Sequence, residues 1–141
     1  MLTANDIISA GLSAMRLRVN TIASNIANAE TTRTPEGGPY RRKDVFLVAE
    51  EQKGFQATLD ELTLAKPKVQ AVIQDTSPGR KVFEPGHPDA DEQGFVEYPN
   101  VNVVNSMTSL MDASRLYQAN VSALKATNEM ERNARQIATV F

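Results

Sequence analysis

TANDIISAGLSAMRLRVNTIASNIANA, residues 3–29, carries Ile8, Leu12, Met15, Val19, Ile22, Ile26 and Ala29 at alternating steps of four and three. Such a heptad seam, of period 3.5, keeps one apolar stripe facing a partner helix, and it predicts a single helix over 3–29. The remaining faces are small and neutral rather than a Glu/Lys lattice: Ala10, Ser13, Ala14, Asn20, Ala23, Ser24 and Ala27. Neighbours can approach a helix of this kind on several sides.

The far end repeats the pattern. A second helix is expected from Asn100–Asn102, either of which can cap it, to near the C-terminus. Its seam reads Leu110, Ser114, Tyr117, Val121 and Leu124. Continued through Thr127, Met130, Ala134, Ile137 and Phe141, the stripe inserts an extra step of three, a stammer that overwinds a coiled coil. Residues 1–29 and 100–128 hold three charged side chains each, whereas the seventy residues between them hold twenty-two. The chain is therefore expected to be mainly α with a small β-containing middle. Residues 1–30 and 100–141 supply helices that pair as an antiparallel coiled coil, and residues 31–99 bridge them.

Within the middle, Glu30–Gly38 is turn chemistry punctuated by Pro35 and the Gly37-Gly38 pair. Short strands are expected at Val45–Val48, Val69–Gln74, Lys81–Glu84 and Gly94–Tyr98, from their β-branched and aromatic content. Glu84–Glu92, with Pro85, Gly86 and Pro88, is irregular, and 50–65 fits neither period.

Composition narrows the function. A net charge of −2 supplies no global field for nucleic acid, and zero cysteines remove disulfide and thiolate chemistry. No run approaches the roughly 18–20 apolar residues of a membrane span, and the first residues lack the basic region of a cleavable export signal. His87, Asp89, Asp91 and Glu92 cluster, but a calcium loop begun at Asp89 has Gln93 at position five and Asn100 at position twelve, where a bidentate glutamate is needed. Arg41-Arg42-Lys43 beside Tyr40 is too short a basic run to argue for nucleic acid. No catalytic constellation, metal site or cofactor is expected. Asn25, Asn28, Gln118 and Asn120 lie along the seams, where asparagine and glutamine fix register with neighbours by hydrogen bonding; Asn25 and Asn28 are equally suited to capping the helix end. Two alternatives stay open at this level: a coiled-coil adaptor that binds a partner helix and never polymerises, and a small hydrolase or metal protein built on His87.

The segments Ser24-Asn25-Ile26-Ala27-Asn28, Asn100–Val103 with Met107, and Ser114–Val121 (Ser-Arg-Leu-Tyr-Gln-Ala-Asn-Val) resemble the axial proteins of the bacterial flagellum. Thr31–Arg42 and Glu84–Asn100 are similar to the proximal-rod members of that family. The family commonly has leucine where Ile26 stands and an acidic residue where Ser106 precedes Met107, so a local inter-subunit ion pair is expected to be missing. The resemblance implies a structural subunit of the proximal rod, assembled in the periplasm and exported unfolded by the flagellar type III apparatus without a cleaved signal. Its expected partners are copies of itself, other rod proteins and the adaptor near the MS ring. Ile8, Leu12, Met15, Val19, Ile22, Ile26, Leu110, Tyr117, Val121 and Leu124 are the expected packing residues. The loop carrying Glu84, Pro85, His87, Asp89, Asp91 and Glu92 is expected to choose neighbours.

Overall fold

The computed structural model describes residues 3–51 and 65–138. Helix α1 (Ala4–Ala27) is followed by strands β1 (Lys43–Glu51), β2 (Ala65–Gln74), β3 (Arg80–Phe83) and β4 (Phe95–Tyr98), then by helix α2 (Val103–Ala138). Thr3 starts α1 through a capping box. Its hydroxyl accepts from the Asp6 amide at 3.2 Å, while the Asp6 carboxylate accepts from the Thr3 amide at 2.9 Å. Asn102, one of the two expected caps, starts α2: its side-chain oxygen accepts from the Asn105 amide at 3.0 Å.

The helices run antiparallel. Asn5, at the start of α1, donates to Glu131 at 2.8 Å and to Asn128 at 3.5 Å, near the end of α2. A Cβ at Gly11 would lie 3.4 Å from the Asn120 amide. Arg18, Ile22 and Asn25 share a cleft of about 330 Å³ with Asn102, Asn105, Ser106 and Ser109 in the first turns of α2.

The inner stripe of α2 passes through Ser106, Leu110, Ala113, Tyr117, Asn120, Leu124 and Thr127 to Glu131, which meets Asn5. These steps alternate four and three without interruption, so the expected stammer is absent. Apolarity favours Val121 over Asn120 and Met130 over Glu131, and those two choices together put three steps of three between Val121 and Met130. Gly11 leaves room for the Asn120 amide across the interface, and Ala113, 2% exposed, lets the backbones come close. Glu131 lies level with the first turn of α1, and Met130 and Ile137 are exposed.

Strands β1 and β2 form an antiparallel hairpin pairing Lys43 with Gln74 and Glu51 with Ala65, with a register shift between Phe46 and Leu47. Both strands touch α1, and Val45 is buried. Strands β3 and β4 make a second antiparallel pair, from Arg80–Tyr98 to Phe83–Phe95. It is closed by the fully buried Val96 and an edge-to-face contact of Phe83 and Phe95 at 5.3 Å. A Cβ at Gly79 would lie 1.8 Å from the Tyr98 carbonyl oxygen, so only glycine permits the approach of β3 to β4. All four expected strands are present. The stretch 52–64, which fitted no period, lies outside the described residues. Among the described residues, no helix is long and apolar enough to cross a membrane.

Candidate assembly surface

Each terminal helix has a second stripe about 100° round from the first. On α1, Ser9, Ser13, Arg16, Asn20, Ala23 and Ala27 are all exposed at steps of 4-3-4-3-4. On α2 the outer stripe passes from Ser109 and Asp112 through Leu116, Ala119, Ala123 and Ala126 to Met130, Asn133 and Ile137, all exposed. Leu116, Met130 and Ile137 are 53%, 64% and 63% exposed. Large apolar side chains fourteen and seven residues apart on an open face are costly to leave in water. Sequence inspection found only one seam per helix. On α2 the second signal is diluted by alanine, and Met130 and Ile137 also fit the stripe expected from the sequence.

The expected packing residues fall on the inner side. Ile22 is buried, and Ile8, Leu12, Met15, Val19, Ile26, Leu110, Val121 and Leu124 are half-buried, with Tyr117 at the margin of the interface. Asn25 is 5% exposed and fully used within the chain. Its Nδ2 donates to the Lys43 carbonyl at 2.7 Å, and its Oδ1 accepts from the Lys43 amide at 2.9 Å and the Tyr40 hydroxyl at 3.0 Å. One side chain thus satisfies both backbone groups of the first residue of β1, and it welds α1 to the hairpin. Asn28 closes α1 by donating to the Ser24 carbonyl at 2.8 Å and accepting from the Thr31 hydroxyl at 3.2 Å. Of the two roles open to these asparagines, the capping role holds for Asn28, and Asn25 serves as a tether. Asn120 is half-buried opposite Gly11, and Gln118 is exposed.

Behind the helices, two loops that looked separate in sequence form one unit. The Thr32 hydroxyl donates to Asp89 at 2.8 Å, and Arg33 pairs with the same carboxylate at 3.5 Å. Both loops line a groove of about 530 Å³ that includes Pro39, Pro88, Asp91 and Phe95. Several other polar groups of Glu84–Pro99 serve its own turns. The Asp89 amide donates to His87 Nδ1 at 3.1 Å, and Asp91 accepts from the amides of Gln93 and Phe95 at 2.9 and 2.8 Å. The Tyr98 hydroxyl donates to Glu84 at 3.0 Å, which holds the proton on the phenol and raises its pKa. Glu84, Asp89 and Asp91 thus spend their carboxylates inside the unit, while Glu92 and the ring of Pro85 are exposed. Among the described residues, no group of three or more histidine, cysteine and acidic side chains could hold a metal ion.

Paired terminal helices with bare outer heptad stripes, and two loops tied to each other behind them, define a protein built to pack among other helices. The profile described as Flagella basal body rod protein matches residues 6–33, and that described as Flagellar basal body rod FlgEFG protein C-terminal matches residues 92–137. The chain is 42% identical over 130 residues to the flagellar basal-body rod protein FlgC of Salmonella typhimurium, covering 92% of each. It is 37% identical over 139 residues to FlgC of Borreliella burgdorferi, covering 92% of this chain and 91% of the relative. With FlgC of Bacillus subtilis it shares 34% identity over 142 residues, 94% of each. The chain belongs to the FlgC family of flagellar basal-body rod proteins, and it is a structural subunit of the basal-body rod.

Proposed function

We propose that the chain is a subunit of the proximal rod that polymerises through its terminal helices and transmits torque mechanically, without catalysis. The bare outer stripe on each helix carries this reading. A protein that bound one partner helix and stopped, the adaptor alternative, would need one such face rather than two. The inner seam, with Leu124 and Ile22, sets the shape of the subunit, and the outer stripes are covered by neighbours. Asn120 and Gln118 lie at positions suited to fixing register along α2, and Asn25 and Asn28 act on neighbours indirectly, by holding the end of α1. The joined loops of residues 31–42 and 84–99 discriminate among neighbours as one unit, because helices sharing the same seam do not distinguish relatives.

The partners on this reading are copies of the chain, other rod proteins and the adaptor at the base of the rod. The chain reaches the periplasm through the flagellar type III apparatus, as its sequence resemblance implies. Leu124→Asp tests the assembly role. A carboxylate in this half-buried seam is partly desolvated and unpaired, costing on the order of a few kcal/mol in every subunit. Cells relying on this variant should export the protein yet build no rod, and electron microscopy of their envelopes should show basal bodies stopped below the rod. Normal rods and motility with the variant would refute it.

A further inference from the structure

The outer stripe of α1 between Ser9 and Ala27 carries one charge, Arg16, and the outer stripe of α2 between Ser109 and Ile137 carries one charge, Asp112. Both side chains are exposed, and neither makes a hydrogen bond or ion pair among the described residues. Two faces of the same chain therefore share a heptad period, lack a partner, and carry single charges of opposite sign. We propose that the outer stripe of α1 in one copy lies along the outer stripe of α2 in a second copy, with Arg16 of the one paired to Asp112 of the other. This rests on the assembly role proposed above and names the contact that performs it.

Copies related by rotation and rise about a common axis keep the same helix directions, so α1 of one meets α2 of the next antiparallel, as the two do within a chain. Setting Arg16 opposite Asp112 in that sense brings Leu116 to the level of Ser13 and Ala119 to that of Ser9. The large side chain then meets a small one. Leu116 on α2 is covered without opening the inner seam, since the two stripes lie about 100° apart round each helix. The contact joins unlike faces, so each copy keeps a free α1 stripe at one side and a free α2 stripe at the other. Heterologous contacts of this kind propagate into rings or helical tubes rather than closing as dimers. In this register Met130 and Ile137 extend past the first residue of α1.

The absence of cysteine makes the test clean. Two tagged chains, one Arg16→Cys and one Asp112→Cys, are co-expressed in cells lacking the native protein, and isolated basal bodies are treated with a short bis-thiol-reactive cross-linker. The expected product joins residue 16 of one tagged chain to residue 112 of the other, with no 16–16 or 112–112 product. In parallel, Arg16→Glu and Asp112→Arg are tested singly and together. Each single reversal should cut rod yield at least about fivefold, since interface charge pairs reward correct and penalise like-charge contacts, and the double reversal should restore it to near the wild-type level. Rods that assemble without the 16–112 product, or a double reversal no better than either single change, overturn the pairing while leaving the rod role intact. Wild-type chain that never enters basal bodies overturns both.

Discussion

Asn25→Ala removes the tether between α1 and the hairpin and should destabilise the isolated chain by about 2–4 kcal/mol. Three hydrogen bonds converge on the buried amide, and alanine leaves the Lys43 amide, the Lys43 carbonyl and the Tyr40 hydroxyl without it. A buried polar group stripped of its partner costs about 1–3 kcal/mol. Asn25 and Lys43 both border the open cleft between the helices, so water reaches part of the site and the sum falls toward the lower end. For a chain of this length that energy lowers the melting temperature by roughly 10 °C. Asn25→Asp should be no milder at neutral pH. It keeps the acceptor for the Lys43 amide but turns the donor aimed at the Lys43 carbonyl into a second negative oxygen. Thermal unfolding followed by circular dichroism gives the magnitude, and hydrogen exchange at Lys43–Val45 gives the location. A melting temperature within about 2 °C of wild type and unchanged exchange at Lys43, in a variant that builds no rods, would refute the tether and return Asn25 to the role of a contact between subunits.

Asp89→Ala should separate the two loops behind the helices. The Thr32 bond to a carboxylate contributes about 1.5–3 kcal/mol, the exposed Arg33 pair about 0–1, and cleavage by trypsin at Arg33 should accelerate in step with the loss. Acid should loosen the start of α1. Hydrogen bonds from Thr3 hold the Asp6 carboxyl below its ordinary pKa of 3.8, and those from Lys68 and Lys66 and from Ser77 do the same for Glu50 and Asp75. A carboxyl depressed in the folded state contributes stability that is present above its unfolded pKa and lost as pH falls through the folded value. Helicity at the N-terminus should therefore decline below about pH 4, and Asp6→Asn should flatten that decline in a pH series of exchange rates.

Both terminal helices and all four strands were legible because each rests on a local signal: heptad spacing, Thr3 or Asn102 before a periodic run, β-branched clusters bounded by Pro and Gly. What the sequence hid is tertiary. Asn25 stands in a helical stretch where any polar residue looks like a contact for a neighbour, and nothing local shows that Lys43, eighteen residues on, needs both its backbone groups satisfied. The Thr32–Asp89 bond spans 57 positions and is equally silent. The seam of α2 was misphased for a different reason. Asn120 and Glu131 are polar, so apolarity favours Val121 and Met130 in their places, and nothing local shows that Gly11 stands across from Asn120 and Asn5 across from Glu131.

The surface of the subunit shows where neighbours must sit. The chain exposes 10510 Å², against about 7,200 Å² for a compact monomer of 15.4 kDa. The two helices do not share this excess equally. Helix α1 touches α2 and both strands of the first hairpin, whereas among the described elements α2 touches α1 alone. Helix α2 therefore presents most of its circumference to solvent. Val104, Met107 and Met111 are exposed on one side near its start, and Leu116, Met130 and Ile137 on another farther along. A 36-residue helix with so much open apolar surface has little to hold it straight in water. One additional copy on the Asp112 stripe leaves Val104, Met107 and Met111 uncovered, because they lie on a different side. Helix α2 thus requires neighbours in at least two directions besides α1, as a wall packed in two dimensions provides and a single file of subunits does not.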